Sequence, residues 1–203
     1  MTPMPDLTTE RLVIRPFTMV DFDAWGGPDG CAPEDAFEGG DPREWFEWAV
    51  RNYDALAQLG QPPYGDRAVA LRDTGQLIGS VGFVPTMFPL ELLRHFRDTD
   101  DPPANVCNTP EFGVFYAFGE AYRGSGYATE AVRAMLDYAF RVLHVKRVVC
   151  NTGRDNTGSA RRMARVGMTV LHNESGHPPR MDIIGVLENP SPPPAADVGF
   201  CVG

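Results

Sequence analysis

Between a short apolar stretch and a long amphipathic one stands Arg-Gly-Ser-Gly-Tyr-Ala, residues 123–128, and these six residues constrain the fold most. A helix start leaves about four backbone N–H groups without intrahelical partners and carries the positive end of the helix dipole. Two glycines placed against that end give a turn nearly free of side chains, which suits an anion such as a phosphate. In the stretch that follows, Ala131, Val132, Met135, Leu136, Ala139, Phe140 and Leu143 step by three and four, which predicts a helix over 129–143 with one buried face. "EFGVFYAF" before the turn and "VKRVVCN" after the helix read as strands.

Two known glycine motifs do not fit. A P-loop needs a lysine to reach the β and γ phosphates, and residues 123–128 have none, which excludes an ordinary NTPase. A dinucleotide fingerprint would place Thr129 where its third glycine belongs and lacks the acid about 20 residues on that binds the ribose. Charge supports an anion site without favouring nucleic acid. The formal net charge is −9, yet residues 118–170 hold 9 bases and 4 acids, so the turn lies in the basic part of an acidic chain.

The remaining chain reads as one soluble globular domain. Residues 11–17 alternate like a strand, Thr18 offers an N-cap for a short helix, and 26–41 is a Gly-, Pro- and acid-rich loop. Asp41 and Pro42 open a helix whose apolar stripe is expected to be Trp45, Trp48, Ala49, Leu56 and Leu59, ended by Gly60. Residues 68–72 and 77–84 form a hairpin, the pattern breaks down over 85–110 except for a short helix in "FPLELLRHFRD", and "MTVLHN" and "MDIIGVL" are terminal strands. The four cysteines, Cys31, Cys107, Cys150 and Cys201, form no CxxC pair and read as free thiols. His172 and His177 read as a solvated turn, so no metal is expected. No apolar run of about 18 residues and no signal-peptide pattern is present, so the expected location is cytoplasmic, with no membrane partner.

The order of elements then narrows the field. A strand, Arg123-x-x-Gly126-x-Ala128, a long helix, a strand, and Asn156-x-x-Ser159 opening a short helix closed by Gly167-Met168 resemble the GNAT superfamily of acetyl-CoA-dependent N-acetyltransferases. The likeness is to the branch containing the ribosomal-protein N-terminal acetyltransferases, and it runs from "TTERLVIRPF" to about Val186. The family's pyrophosphate loop, Gln/Arg-x-x-Gly-x-Gly/Ala, is matched in full by "RGSGYA". The resemblance implies an α/β (α+β) GNAT fold: a mixed, mostly antiparallel central sheet splayed in a V and flanked by helices. It also implies one acetyltransferase domain over 1–189, with an insertion at about 85–110 that is longer than usual in the family, and a Pro-rich tail over 190–203.

By the same resemblance, acetyl-CoA is the cosubstrate and enters the V. Main-chain groups of Phe115, Tyr116 and Ala117 would pair with the pantetheine as a neighbouring strand does, and the backbone of Arg123, Gly124, Ser125, Gly126, Tyr127 and Ala128 would hold the pyrophosphate. The reaction is attack of a neutral amine on the thioester, so a base, oxyanion donors and an acid for the departing thiolate are required. Ser159 is the candidate acid and Asn156 contacts pantetheine or orders the turn; capping of the short helix is the competing use of both. Glu111, opening the central strand, is the candidate base, with Tyr116 and Tyr122 behind it. The acceptor is a small-molecule or peptide amine, and the acids of loop 26–41 (Asp29, Glu34, Asp35, Glu38, Asp41) and of the insertion (Glu91, Asp98, Asp100, Asp101) would give it an acidic mouth. A non-catalytic acyl-CoA-binding module is the alternative, and the insertion and tail are the segments through which two copies would pair as a homodimer.

Overall fold

A computed structural model describes residues 3–28, 30–32, 41–99, 101, 103–176, 178 and 181–194. Eight strands of these residues make one sheet in the order β1-β2-β3-β4-β5-β6-β8-β7. They are β1 (Leu7–Thr8), β2 (Leu12–Pro16), β3 (Gly65–Leu71), β4 (Leu77–Phe88), β5 (Thr109–Phe118), β6 (Arg147–Thr152), β7 (Thr169–His172) and β8 (Ile183–Glu188). Neighbours are antiparallel throughout except β5 and β6, which are parallel. The helices are α1 (Phe22–Gly26), α2 (Pro42–Gln58), α3 (Tyr127–Arg141) and α4 (Thr157–Arg165).

Helix α3 begins at Tyr127 rather than Thr129 because Gly126, with φ 85°, ends the turn and is itself the N-cap. Its buried face, including Ala131, Val132, Met135, Leu136 and Ala139, packs in one cluster with Leu12, Ile14, Val81, Phe83 and Val114 of the sheet. Full burial of an aliphatic side chain of this size is worth about 1.5–3 kcal/mol, so this face fixes where the helix start can lie.

The opposite sheet face carries Phe17, Ala68 and Ala117 under Trp25, Cys31 and Phe46. Asp41 caps α2 as expected, its side chain accepting from Arg43 N. The buried stripe of α2 differs from the expected one: Phe46 and Ala49 are buried, whereas Trp48 is 58% exposed and Leu59 72%. Phe46 lies 5.1 Å from both the Phe17 and the Trp25 rings, and at 100° per residue that rotation turns Trp48 about 200° away.

Strand β4 also runs further than expected. Pro85 to Phe88 pair with Phe112 to Thr109, so the first part of segment 85–110 lengthens the hairpin. The expected short helix is instead two single 3-10 turns, Leu90–Leu92 and Arg94–Phe96, separated by extended Leu93. Phe88, Leu90 and Leu93 bury against Val149, Ile184 and Val186 of β6 and β8. Residues 195–203 of the tail, Cys201 and His177, and Asp29, Glu34, Asp35, Glu38 and Asp100 of the expected acidic mouth lie outside the described residues.

One contact ties the N-terminal strands to the start of α3. Glu130 in the first turn of the helix accepts from Thr9 Oγ1 (2.6 Å), Arg11 N (2.9 Å) and Arg11 Nε (2.7 Å). Burial opposes the charge on Glu130, but the hydrogen bonds from Thr9 and Arg11 outweigh it and hold the carboxyl below its ordinary value of 4.5. A carboxyl held low contributes stability above its unfolded pKa and loses it as pH falls through the folded value. Glu130→Gln is therefore expected to cost about 1–2 kcal/mol at neutral pH, toward the lower end because Arg11 is partly exposed. Melting temperatures of the two proteins should converge as pH falls below 4.5 and on through the lowered folded value of Glu130.

Candidate active site

Strand β5 has a partner on one side only for half its length. It pairs with β4 from Thr109 to Phe118, but with β6 only where Gly113 faces Val149. Because the two strands are parallel, Val114 to Phe118 run beyond that contact with a free edge toward β6. Backbone groups of a strand point alternately to its two sides, so this edge offers donors and acceptors in strand spacing. Of the three residues expected to meet pantetheine, Tyr116 turns its backbone groups to this edge, whereas the register with β4 turns those of Phe115 and Ala117 to the paired side. Their side chains alternate: Tyr116 turns to α4, while the Phe115 ring lies beside Gly82 and Ala117 joins the Phe17 cluster on the other face.

The glycine turn follows directly. Arg123 Nε donates to Phe118 O at 3.1 Å, which pins the start of the turn to the end of β5. Gly124 and Gly126 take φ of 84° and 85°, the left-handed region that L side chains rarely adopt. A Cβ at Gly124 would meet nothing within 4 Å, and one at Gly126 only Arg11 Nη2 at 3.4 Å, so backbone conformation rather than crowding requires glycine there. Arg11 Nη1 donates to Ser125 O (3.0 Å), and across a trans peptide this turns the Gly126 N–H away from Arg11. Among the described residues, the backbone N–H groups of Gly124, Ser125, Gly126, Tyr127 and Ala128 have no hydrogen-bond partner. Unpaired donors at a helix N-terminus are what an anion requires. A cleft of about 720 Å³ lies on the Arg11 side of the turn; Gly126 is the turn residue that borders it, and Arg11, Arg133 and Arg165 line it together with Glu10, Glu130 and Asp137.

Asn156 and Ser159 divide the roles that the sequence left open between them. Asn156 is the N-cap of α4, and its side chain accepts from Ser159 N at 3.0 Å. The Ser159 hydroxyl takes no part in this cap. It is buried and accepts a hydrogen bond from Tyr116 Oη at 3.1 Å, across from β5 to α4. Arg162, one turn further along α4, lies over the Tyr116 ring at 4.8 Å. Burial pushes the Tyr116 phenol above its ordinary value, with Ser159 and Arg162 pulling the other way. Burial likewise pushes the nearby Cys150 thiol of β6 up to about 12, so it is an unreactive neutral thiol.

Glu111 lies apart from these groups, at the closed end of the V. Its Oε2 is 3.3 Å from Arg147 Nε, and its Oε1 accepts from Thr109 Oγ1 at 3.0 Å. Arg147 also meets Glu188 (3.2 Å) and lies over the Phe96 ring (5.3 Å), so the insertion is fastened to the same ion pair. Tyr122, the other expected tyrosine, bonds Gln76 Nε2 through its hydroxyl at 2.6 Å. Sequence reasoning did not find Arg11, Thr9 or Arg147. Arg11 and Glu130 are far apart in the chain, and no local periodicity signals such a pair.

Comparison with known proteins bears on the fold and family. Residues 11–169 match the acetyltransferase (GNAT) domain. The chain is 28% identical over 166 residues to the uncharacterized N-acetyltransferase YnaD of Bacillus subtilis (strain 168), covering 80% of this chain and 81% of that one. Among solved structures, the acetyltransferase from Agrobacterium tumefaciens str. C58 superposes with a TM-score of 0.59 at 26% identity, over 93% of this chain and 96% of that one. Mycobacterium smegmatis RimJ in complex with CoA-disulfide shares the fold, with a TM-score of 0.57 at 16% identity over 87% of this chain and 81% of that one. With the domain match extending over most of its length, across the splayed strands and the glycine turn, the chain belongs to the GNAT acetyltransferase family.

Proposed function

We propose that this chain moves the acetyl group of acetyl-CoA to a primary amine, a protein N-terminus or a small-molecule amine, by direct attack on the thioester. The observation that carries the reading is the pairing of two unsatisfied backbone surfaces in sequence: the free edge of β5 from Val114 to Phe118, and the five N–H groups of Gly124 to Ala128. An extended pantetheine can add to the first as a strand. A pyrophosphate can accept from the second at the positive end of α3. The cosubstrate is also consistent with the CoA-disulfide bound in the RimJ neighbour. Cys31, Cys107 and Cys150 are free thiols, which suits a reducing cytoplasm, and no described helix is long and apolar enough to cross a membrane.

Attack requires the amine in its neutral form, so the rate is expected to rise with pH until the acceptor is deprotonated. Ser159 is the group we assign to protonating the departing thiolate. For Glu111 we propose a holding role in place of the base expected from its position on the strand. Both of its oxygens are already engaged, by Arg147 and Thr109, and the pair closes the V beneath the reacting groups. The acceptor side retains exposed Asp41, Glu91, Asp98 and Asp101 among the described residues.

Calorimetry with CoA is expected to show one site, and Gly126→Val to weaken it more than tenfold, about 1.4 kcal/mol, in a protein that remains folded. Unchanged affinity would remove the turn from the site. In a thiol-release assay with a panel of amines, Ser159→Ala is expected to lower kcat at least about tenfold with KM for acetyl-CoA unchanged. Its melting temperature should fall only slightly, since the cap bond from the Ser159 backbone to Asn156 survives and the Tyr116 bond alone is lost. Glu111→Gln is expected to lower the melting temperature by several degrees while the pH profile of kcat/KM keeps its shape. A flattened profile with normal stability would make Glu111 the base.

A further inference from the structure

The Ser159 hydroxyl poses a chemical problem that its neighbours answer. A serine that gave its only proton to a thiolate would be left as an alkoxide, a far stronger base than the thiolate it had neutralised. A tyrosine phenol, with an ordinary pKa near 10 against about 8.5 for a thiol, is much better matched to the transfer. Ser159 already accepts from such a phenol. Tyr116 Oη reaches it at 3.1 Å from β5, the strand whose free edge borders the V, and the Arg162 guanidinium covers the Tyr116 ring at 4.8 Å.

We propose that Tyr116 is a positioning residue behind Ser159, completing a proton relay from β5 through α4 to the leaving sulfur of the acyl donor, with Arg162 holding the negative charge that the relay leaves on Tyr116. The inference rests on the acetyl-transfer reading given above. In the relay the thioester C–S bond breaks with its electron pair on sulfur. The Ser159 Oγ–H bond breaks as the S–H bond forms, and the Tyr116 Oη–H bond breaks as the Ser159 Oγ–H bond is restored. The phenolate beside Arg162 then recovers a proton from water, which has received one from the attacking amine, so the cycle is balanced. With Tyr116 donating, the Ser159 proton remains available for a further acceptor.

The groups that face Tyr116 are the Ser159 hydroxyl and the Arg162 guanidinium from α4 and the Cys150 thiol from β6. Burial keeps Tyr116 protonated above its ordinary range and Cys150 up to about 12, so neither ionises while a bound CoA thiol does. This makes an equilibrium test possible without knowing the acceptor. Thiolate absorbance of bound CoA is titrated, with desulfo-CoA as the blank, in wild type, Tyr116→Phe, Ser159→Ala and the double variant. Two donors in series stabilise the thiolate, so wild type is expected to ionise at the lowest pH. Tyr116→Phe should raise the midpoint by at least about half a pH unit, roughly threefold in the ionisation constant. Ser159→Ala should raise it at least as far, and adding Tyr116→Phe to Ser159→Ala should change nothing more. A Tyr116→Phe midpoint equal to wild type overturns the relay, as does a shift that returns in full in the double variant, because a packing role does not pass through Ser159. Failure of CoA to displace desulfo-CoA's site or to bind at all overturns the cosubstrate reading itself, a result distinct from either.

Discussion

Everything in this protein follows from one incomplete strand pairing. β5 is hydrogen-bonded to β4 along its length and to β6 at a single position, Gly113 opposite Val149. A sheet normally satisfies both edges of an inner strand, because unpaired backbone groups away from water are costly. Here one edge of the central strand is withheld from the fold, and the arrangement persists because both halves of the sheet are packed under common and local covers. On the β6–β8 side, Phe88, Leu90 and Leu93 pack on Val149, Ile184 and Val186. On the face under α3, one core runs from Leu12 and Ile14 of β2 across to Val148 and Cys150 of β6 and Ile183 of β8. The half-buried Glu111–Arg147 pair, fastened to Glu188 and Phe96, sits where the halves meet and holds them together at that end.

The glycine turn is placed by the same economy of contacts. Arg123 fixes its first residue to the last residue of β5, and Arg11 and Glu130 fix its far end to β2. The turn is therefore held by side chains reaching its carbonyls and its helix, while its N–H groups stay free. Glycine at 124 and 126 is needed for positive φ rather than for room, since a Cβ would meet nothing close at the first and only the tip of Arg11 at the second. Positive φ at both positions is what aims successive N–H groups to one side.

Much of this was legible in the chain because it is local. The turn, the stepping of Ala131 to Phe140 and the Asn156 cap are all written within a few residues, and the family words around them carry the fold. The misreadings share a cause. Trp48 and Leu59 have the right spacing for a buried stripe, but Phe46, which lies among Phe17, Phe22 and Trp25, decides how α2 is rotated, and no window on α2 alone contains those rings. Segment 85–110 read as irregular from its first residue, although Pro85 to Phe88 remain strand because Thr109 to Phe112 lie opposite. Arg11 with Glu130, Arg147 with Glu111 and Tyr116 with Ser159 are pairs that only the folded sheet brings together.

The central claim is that the free edge of β5 and the free N–H groups of the turn form one continuous surface for acetyl-CoA. Hydrogen–deuterium exchange of the backbone amides, with and without CoA, tests it directly, since those amides are the proposed contacts. The account predicts strong slowing at Tyr116 and Phe118, whose amides face the open edge, and at 124–128 together, with little change in α2 or in the 3-10 turns over 90–96. Binding of CoA that protects neither segment, or that protects the turn while the β5 edge exchanges as before, would contradict it.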